Sequence, residues 1–316
     1  MKVAYIVSSS FSGSTLLSLI LNAHPAIGTI SEFNAMDDIA RNPDFQCSCG
    51  ARIRECSFFL SLRDAMRAKG FRFEIDDMDM MLRLSNNESV DAFLAGRMTR
   101  FGSWPADACR DRIVDMMPWY RREKTRVLSR NESLFQSVLE LQQASIFLDA
   151  NKCPYRMLFL SRCFDVKAIY LFKNGIAGMY SYLKSAIRIH RRTEIREITR
   201  RWFREQISIS RCLARLGTEN YIQIPYSDLC NHPTDTIDKI FSFLQIEPLP
   251  LDSYATTPHH VIGNAMRLGD FSQIKERLDW KEKLSPSDVE EYRRAARECL
   301  PALRAVNPSM IEHLWL

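Results

Sequence analysis

Small and hydroxyl-bearing residues near the amino terminus have the composition of a phosphate-binding turn. Residues 8–15 follow a short apolar run at residues 3–7 and precede an apolar pattern with helical spacing. A strand that turns into a helix gathers free backbone N–H groups at one point, and the helix dipole adds partial positive charge there. Gly13 lets the backbone approach an anion closely, and Ser14 and Thr15 add hydroxyl donors. The turn predicts a phosphate site, although similar turns also join strands to helices without a ligand.

This turn lacks the cation of nucleotide-triphosphatase loops. In those loops a lysine follows the glycine and reaches the β- and γ-phosphates. Here Ser14 follows Gly13, and residues 4–23 contain no lysine or arginine. No carboxylate that would bind magnesium after a strand is visible either. A small-molecule phosphotransferase is therefore kept only as an alternative function.

A second candidate group follows a strongly apolar run at residues 166–172. Lys173 is followed by Asn174 and Gly175, which signal a turn, and a helix is predicted directly after them. Lys173 would lie at the carboxyl end of a strand, where open α/β sheets bind ligands. Ser181 projects from the predicted helix. Taken alone, this group is more simply interpreted as a surface lysine beside a turn and a serine on a helix surface.

The order of apolar runs predicts an α/β protein. Strands and helices alternate at both ends of the chain, around a helical, loop-rich middle. We expect one domain over residues 1–316, with a central, mostly parallel sheet, helices on both faces and a helical insertion at about residues 37–148. A methionine-rich patch at residues 78–84 is interpreted as core filler in preference to an acceptor groove. Helices are predicted at residues 58–68, 134–147 and 156–163.

Composition limits the class of protein. The chain of 316 residues is 46% hydrophobic and 26% charged, with a formal net charge of +5. These values allow an ordinary soluble fold with a sizeable core. The mild positive charge suits an anionic ligand and is too weak to indicate nucleic-acid binding. No apolar run reaches the roughly eighteen residues of a membrane span, and the first apolar run is too short for a signal peptide. We therefore expect a cytoplasmic protein.

The nine cysteines include one cluster, formed by Cys47, Cys49 and Cys56. Three thiols this close could bind zinc, but the spacing is not a usual zinc signature and no fourth ligand is obvious. A local disulfide is a second possibility, and a packed turn is the interpretation that we favour. We therefore expect no metal. His259 and His260, much later in the chain, are interpreted as structural residues.

Together, the two candidate groups resemble the sulfotransferases that use 3′-phosphoadenosine 5′-phosphosulfate (PAPS), in particular the carbohydrate and tyrosylprotein branches with their P-loop-like fold. That family combines a strand, a 5′-phosphate loop, a helix that ends near His-Pro, an acidic residue, an Asp-x-x-Lys segment, and a later strand followed by a basic residue and a serine. The matching segments are residues 12–15 (Ser-Gly-Ser-Thr), 24–25 (His-Pro), 31–32 (Ser-Glu), 149–152 (Asp-Ala-Asn-Lys), 173–175 (Lys-Asn-Gly) with Ser181, 224–229 (Ile-Pro-Tyr-Ser-Asp-Leu), and 259–267, which is similar to the carboxyl-terminal nucleotide loop. The cysteine-rich segment at residues 47–59 also resembles one that is common in carbohydrate-type members.

The resemblance implies a role for each matching residue. The residues implied to bind the donor nucleotide are Ser12, Gly13, Ser14 and Thr15 for the 5′-phosphosulfate, Lys173 and Ser181 for the 3′-phosphate, Tyr226 for adenine, and Gly263, Asn264 and Arg267 for closure over the nucleotide. Glu32 matches the general base, although a helix-capping acid is an alternative. The implied reaction moves a sulfuryl group from PAPS to a hydroxyl or amine on a carbohydrate or glycolipid and requires no metal.

Two departures from the family pattern bear on activity. Phe11 stands where the family usually has an arginine that stabilises the leaving oxygen, and losing one such donor typically costs about 2.7–4 kcal/mol of transition-state stabilisation. Lys152 is the nearest candidate to replace it and is therefore expected to be catalytic. Lys173 also replaces an arginine and offers a point charge in place of a bidentate fork. A non-catalytic nucleotide-binding relative is thus the second alternative function.

Overall fold

A five-stranded parallel sheet forms the centre of the protein. The computed structural model describes residues 1–32, 36–78, 83–95, 104–190, 193–251, 254, 257–263, 265–269, 274–276 and 278–314. The strands are β1 (Lys2–Val7), β2 (Ile27–Ser31), β3 (Ile146–Lys152), β4 (Asp165–Phe172) and β5 (Tyr221–Pro225). Their order is β2-β3-β1-β4-β5, and every adjacent pair is parallel. The predicted α/β class with a mostly parallel central sheet is confirmed.

The strands are apolar throughout because both faces of the sheet are covered. In β1, Val3, Tyr5 and Val7 pack into one hydrophobic cluster, whereas Ala4 and Ile6 pack into another. All five side chains are buried. Successive side chains of a strand point to opposite faces, so a strand covered on both sides needs a continuous apolar run. The two clusters confirm the prediction of helices on both faces.

Helices make up both covering layers and the middle of the chain. The helices are α1 (Ser14–Asn22), α2 (Met36–Arg41), α3 (Ser57–Ala68), α4 (Glu88–Leu94), α5 (Trp104–Asp115), α6 (Pro118–Gln142), α7 (Pro154–Leu160), α8 (Gly175–Arg188), α9 (Ile195–Leu216), α10 (Tyr226–Asn231), α11 (Pro233–Leu244), α12 (Trp280–Lys283) and α13 (Pro286–Arg304). Side chains of α1, α10 and α11 pack on one face of the sheet, and those of α7, α8, α9 and α13 pack on the other. None of the helices in the described ranges is long and apolar enough to cross a membrane.

The helix predicted at residues 134–147 is wrong at its carboxyl end. Helix α6 ends at Gln142, and Gln143 caps it in a left-handed conformation with φ 53°. Phe147 belongs to β3, where it pairs with Val3 of β1. The apolar pattern runs across this boundary because α6 and β3 are buried in the same core. Periodicity alone therefore could not separate the helix from the strand.

The structure places helices in the middle of the chain and after β3, where the sequence predicted them. Helices α2–α6 lie between β2 and β3, where a helical insertion is expected. Met78 is buried as predicted, but residues 79–82 of the methionine-rich patch lie outside the described residues. The helix predicted at residues 156–163 is α7, which ends at Leu160. From β3 onward, strands and helices alternate through β4 and β5 to α10, which confirms the predicted alternation at this end, and the described residues after β5 form no further strand of the sheet.

A buried ion pair fixes the carboxyl end of β3. The fully buried Asp149 accepts a hydrogen bond from Nε of Arg156 at 2.9 Å, and both side chains are at most 1% exposed. Its other carboxylate oxygen accepts a hydrogen bond of 2.6 Å from the side chain of Asn151. The guanidinium of Arg156 also donates to Oδ1 of Asn131 at 2.6 Å. This network holds the backbone that carries Lys152.

We predict that Arg156→Met strongly destabilises the protein. The variant keeps an apolar chain of similar length but leaves the carboxylate of Asp149 buried without its cation, which typically costs about 3–5 kcal/mol. Urea unfolding measures the change in the free energy of unfolding. The control is Arg67→Met, which removes an ion pair at the surface. The side chains of Arg67 and Glu74 are 46% and 40% exposed, so the expected cost is about 0–1 kcal/mol. Equal effects of the two variants would contradict a structural role for the buried pair.

Candidate functional site

The turn between β1 and α1 lies directly against the ring of Tyr226. Gly13 caps α1 with φ 91°, a left-handed conformation that favours glycine. A Cβ atom at this position would lie 2.3 Å from Cε2 of Tyr226. Tyr226 is the first residue of α10 and follows β5 immediately. The turn after β1 and the segment after β5 therefore meet above the end of β4.

One cavity joins the two groups of residues that the sequence singled out separately. Gly13, Lys173, Ser181 and Tyr226 all line a cavity of about 350 Å³. Nζ of Lys173 lies 3.5 Å from Oγ of Ser181 and 4.8 Å from the ring centroid of Tyr226. Lys173 follows β4, and Ser181 lies two turns into α8. The structure thus brings the glycine of the turn, a cation and an aromatic ring to one surface.

Further basic and aromatic residues line this cavity and were missed in the sequence. Lys184 and Arg188 lie on α8 three and seven residues after Ser181, so helical spacing was the signal that could have found them. Nζ of Lys184 lies 2.8 Å from a carboxylate oxygen of Asp279. Trp280, from α12, also lines the cavity. No local pattern marks this tryptophan, because almost a hundred residues separate it from α8.

Glu32 and Lys152 form an ion pair beside the start of α1. Nζ of Lys152 lies 2.7 Å from Oε1 of Glu32, and their side chains are only 16% and 9% exposed. Oγ1 of Thr15 donates to the same oxygen at 3.3 Å. Glu32 follows β2 and Lys152 ends β3, which are neighbours in the sheet. A carboxylate, an ammonium group and a hydroxyl are therefore held together next to the turn.

Gly263 forms one wall of this ion-pair site. The N–H group of Ile262 donates to the carbonyl of Ile30 at 3.0 Å, which extends the sheet edge beside β2. A Cβ atom at Gly263 would lie 3.6 Å from Cδ of Glu32. The segment that was predicted to close over a nucleotide thus lies against the predicted base. Asn264, which was assigned to the same segment, lies outside the described residues.

Arg267 lies away from the cavity. Its buried guanidinium donates to the carbonyls of Gln46 and Gly263 at 2.9 and 2.6 Å and lies 4.0 Å from the ring centroid of Phe45. The neighbouring Met266 lines the cavity instead. In this arrangement Arg267 fastens the segment that carries Gly263 to the loop before α3.

Three residues at this edge of the sheet, each at or shortly after the end of a strand, have left-handed backbone conformations. Phe11 follows β1 with φ 63°, Ser31 ends β2 with φ 69°, and Lys152 ends β3 with φ 64°. Such conformations typically cost about 1–3 kcal/mol for a residue other than glycine, and they cluster at ligand and catalytic sites. The surrounding packing must supply that energy. The geometry of this edge is therefore imposed by the tertiary structure.

The ring of Phe11 anchors the turn to α8 and α9. It packs edge-on against Tyr182 with ring centroids 5.4 Å apart. The hydroxyl of Tyr182 accepts from the N–H of Ser10 at 3.1 Å and donates to Glu205 at 2.5 Å. Burial, together with the nearby Glu205 carboxylate, raises the pKa of Tyr182. Because this hydroxyl stays protonated at neutral pH, it keeps both hydrogen bonds and holds the turn in place.

The hydroxyl groups of the turn are turned inward. Ser12 and Ser14 are buried, and Oγ of Ser12 lies 2.8 Å from Oγ of Ser9. Oγ of Ser8 is buried without a hydrogen-bond partner among the described residues. The predicted residues of the turn and of the two neighbouring strands therefore converge on one edge, whereas Arg267 supports it from outside.

The chain was compared with known proteins. The profile of the sulfotransferase family matches residues 4–250, which is well over half of the chain. No curated protein matches the sequence. Similar solved structures include a sulfotransferase domain from the curacin biosynthetic pathway, with 16% identity and a TM-score of 0.49 over 94% of this chain and 96% of that one. Sulfotransferases from Mycobacterium avium (16% identity, TM-score 0.47, 95% and 76% covered) and Alicyclobacillus acidocaldarius (14%, 0.45, 100% and 97%) are also similar. From the match over residues 4–250, the chain belongs to the sulfotransferase family.

Proposed function

We propose that this protein transfers a sulfuryl group from PAPS to a hydroxyl or amine of an acceptor. Membership of the family supports a transferase. The observation that carries the proposal is the cavity lined by Gly13, Lys173, Ser181 and Tyr226. A doubly phosphorylated adenosine needs one anion site at each end of a nucleoside, and these residues supply both ends and an aromatic surface between them. The shared cavity thus supports a single nucleotide-binding site.

Lys173 and Ser181 would hold the 3′-phosphate, the group that distinguishes this donor from ATP. Lys184 and Arg188 line the same cavity, and because the carboxylate of Asp279 pairs with Lys184 there, the added positive charge comes from Arg188. The rings of Tyr226 and Trp280 offer surfaces on which adenine can stack. This division of roles agrees with the one that the resemblance implies.

The turn before α1 would hold the 5′-phosphosulfate. Ser12, Gly13, Ser14 and Thr15 stand at a helix start that has no side-chain cap, and its N–H groups would be the main donors. The hydroxyls of Ser12 and Thr15 would join them only by leaving Ser9 and Glu32. Gly263 and Asn264 would close this end. Arg267 would act as a positioning residue, because its guanidinium already holds the backbone of Gly263.

The ion pair of Glu32 and Lys152 supplies the groups that the transfer requires. In-line attack by an acceptor needs a base for its proton and positive charge where the leaving phosphate becomes more negative. Glu32 would accept the proton, and Lys152 would donate to the leaving oxygen. Lys152 thereby takes the role of the arginine that Phe11 replaces. PAPS would supply the sulfuryl group, and adenosine 3′,5′-bisphosphate would remain in the cavity after the transfer as the second product.

A carbohydrate or glycolipid is the acceptor class to test first. The support for it is the likeness of Glu32 and of the cysteine-rich segment to carbohydrate-type members of the family. Family membership argues against the phosphotransferase alternative. A non-catalytic relative would bind the nucleotide but would not transfer sulfate. An assay of labelled sulfate transfer therefore distinguishes the two functions.

We predict that adenosine 3′,5′-bisphosphate raises the Tm more than AMP or ATP does. In Lys173→Met this preference is expected to disappear, because hydrogen bonds to charged groups contribute about 1.5–3 kcal/mol, or roughly ten- to hundredfold in affinity. Calorimetry measures the affinity. The control is Lys167→Met on β4, because Nζ of Lys167 donates to the carbonyl of Glu219 at 3.1 Å and lies outside the cavity. Equal stabilisation by all three nucleotides would refute the proposed donor.

Gly13→Ala is expected to weaken nucleotide binding strongly, whereas Gly70→Ala is expected to leave it unchanged. Both glycines have left-handed φ values, 91° and 83°, so both alanines introduce backbone strain of about 1 kcal/mol or more. Only residue 13 lies against another group, the ring of Tyr226, whereas a Cβ atom at Gly70 meets nothing within 4 Å. Bisphosphate affinity, measured by calorimetry, should fall more than about tenfold in Gly13→Ala alone. Unchanged affinity in both variants would mean that the turn does not bind the nucleotide.

Glu32→Gln should remove transfer and leave bisphosphate affinity unchanged. Removing a general base typically lowers kcat by about 10²–10⁴-fold. Labelled sulfate transfer to a panel of carbohydrate and glycolipid acceptors measures turnover, and Glu140→Gln, whose carboxylate pairs with Lys69 at the surface, is the matched control. Persistent turnover in Glu32→Gln would exclude this residue as the base. Tight bisphosphate binding without turnover in the unmodified protein would instead support the non-catalytic alternative.

A further inference from the structure

Three cysteines of the loop before α3 meet a histidine from the far end of the chain. Cys47, Cys49, Cys56 and His260 each offer one ligand atom, and these four atoms all lie within 4.8 Å of one another. Sγ of Cys56 lies 3.5 Å from Nδ1 of His260, and Sγ of Cys47 lies 3.9 Å from the same nitrogen. Sγ of Cys49 lies 3.7 Å from Sγ of Cys56. His260 is therefore the fourth ligand, which the spacing of the cysteines could not indicate because it lies 204 residues after Cys56.

Three of the six separations between these atoms match those of a tetrahedral zinc centre, and all six are within 4.8 Å. Zinc binds sulfur at about 2.3 Å and imidazole nitrogen at about 2.0–2.1 Å, so a tetrahedron places two sulfurs about 3.8 Å apart and a sulfur and a nitrogen about 3.5 Å apart. The observed separations of 3.7, 3.5 and 3.9 Å agree with these values. We propose that Cys47, Cys49, Cys56 and His260 form a structural zinc site. Four protein ligands complete the coordination, as is typical of zinc sites that stabilise structure.

The surroundings of the cluster support thiolate ligands. Cys56 caps the amino terminus of α3, a helix of twelve residues whose dipole favours negative charge. The ring of His260 is stacked on Phe58, with centroids 4.9 Å apart and planes 8° apart. Such contacts orient a ligand before the metal binds.

A disulfide does not explain the cluster. All nine cysteines are free, and the sulfurs of Cys49 and Cys56, at 3.7 Å, are well beyond the bonding distance of about 2.05 Å. A disulfide between two of the cysteines would also leave the close approach of the third sulfur and His260 unexplained. Zinc binding uses all four groups, and the protons of the thiols pass to solvent when the metal binds.

The proposed zinc site ties the loop before α3 to the wall of the ion-pair site. Next to the cluster, Oγ of Ser48 donates to the carbonyl of His259 at 2.7 Å and accepts from the N–H of Val261 at 2.9 Å. Two residues further on, Gly263 lies against Glu32. A metal bound to His260 would therefore fix the backbone that leads to Gly263. The zinc has a structural role, and its presence does not depend on the donor or the acceptor of the proposed reaction.

The test is the metal content of the full chain after incubation with zinc and removal of loosely bound metal. Plasma mass spectrometry is expected to find about one zinc per chain. Cys49→Ser and His260→Ala should lose it, whereas Cys163→Ser, at an exposed cysteine outside the cluster, should retain it. His260→Cys should also retain zinc, because a thiolate replaces the imidazole. Circular dichroism establishes that each variant is folded.

Two outcomes would overturn the proposal. Zinc that is present at equal levels in the unmodified protein, Cys49→Ser and His260→Ala would be bound elsewhere. An unmodified protein without zinc, whether intact-mass measurement finds free thiols or a disulfide, would show that the cluster is a packed turn or an oxidised pair. For the unmodified protein, removal of zinc by a chelator should also lower the Tm, and this measurement does not require any variant to fold.

Discussion

The close approach of Tyr226 to Gly13 is the constraint on which the proposed nucleotide site depends. A methyl group at residue 13 would overlap the tyrosine ring, so the ring can lie on the turn only because a glycine is there. This contact joins the end of β5 to the end of β1 across β4, whose end carries Lys173. Parallel strands place all their carboxyl ends at one edge, and the contact converts that edge into a cavity.

Phe11 carries no charge, so the positive charge at this edge lies on side chains outside the turn. Phe11 uses its ring to hold the turn against Tyr182, a packing role that a charged side chain would fill less well. Lysines then supply the charge from neighbouring strands, Lys152 from β3 and Lys173 from the end of β4. An ammonium group binds an anion as a point charge and imposes less geometry than a guanidinium fork. The backbone around these lysines must therefore do more of the positioning, and the buried pair of Asp149 and Arg156 provides it next to Lys152.

Local patterns predicted the sheet and much of the candidate site. Continuous apolar runs identified β1 and β4, and small residues after one and a lysine after the other identified the edge at which they end. The same reasoning failed at Gln142, because a helix and the following strand share one core and the apolar pattern does not change between them. It also failed for contacts between distant segments. Trp280 reaches the cavity and His260 reaches the three cysteines through tertiary packing, which no spacing in the sequence indicates.

The order of the strands has a consequence for the synthesis of this chain. β1 is made first, yet it lies between β3 and β4, and its partners for Lys2 are Ile146 and Asp165. At about 5–20 residues per second, a ribosome needs roughly 7–30 seconds to reach those partners. Until then an apolar segment with two unpaired edges lacks the strands that will protect it once it has left the ribosome. The early chain is therefore open to aggregation at β1 until β3 and β4 have been made.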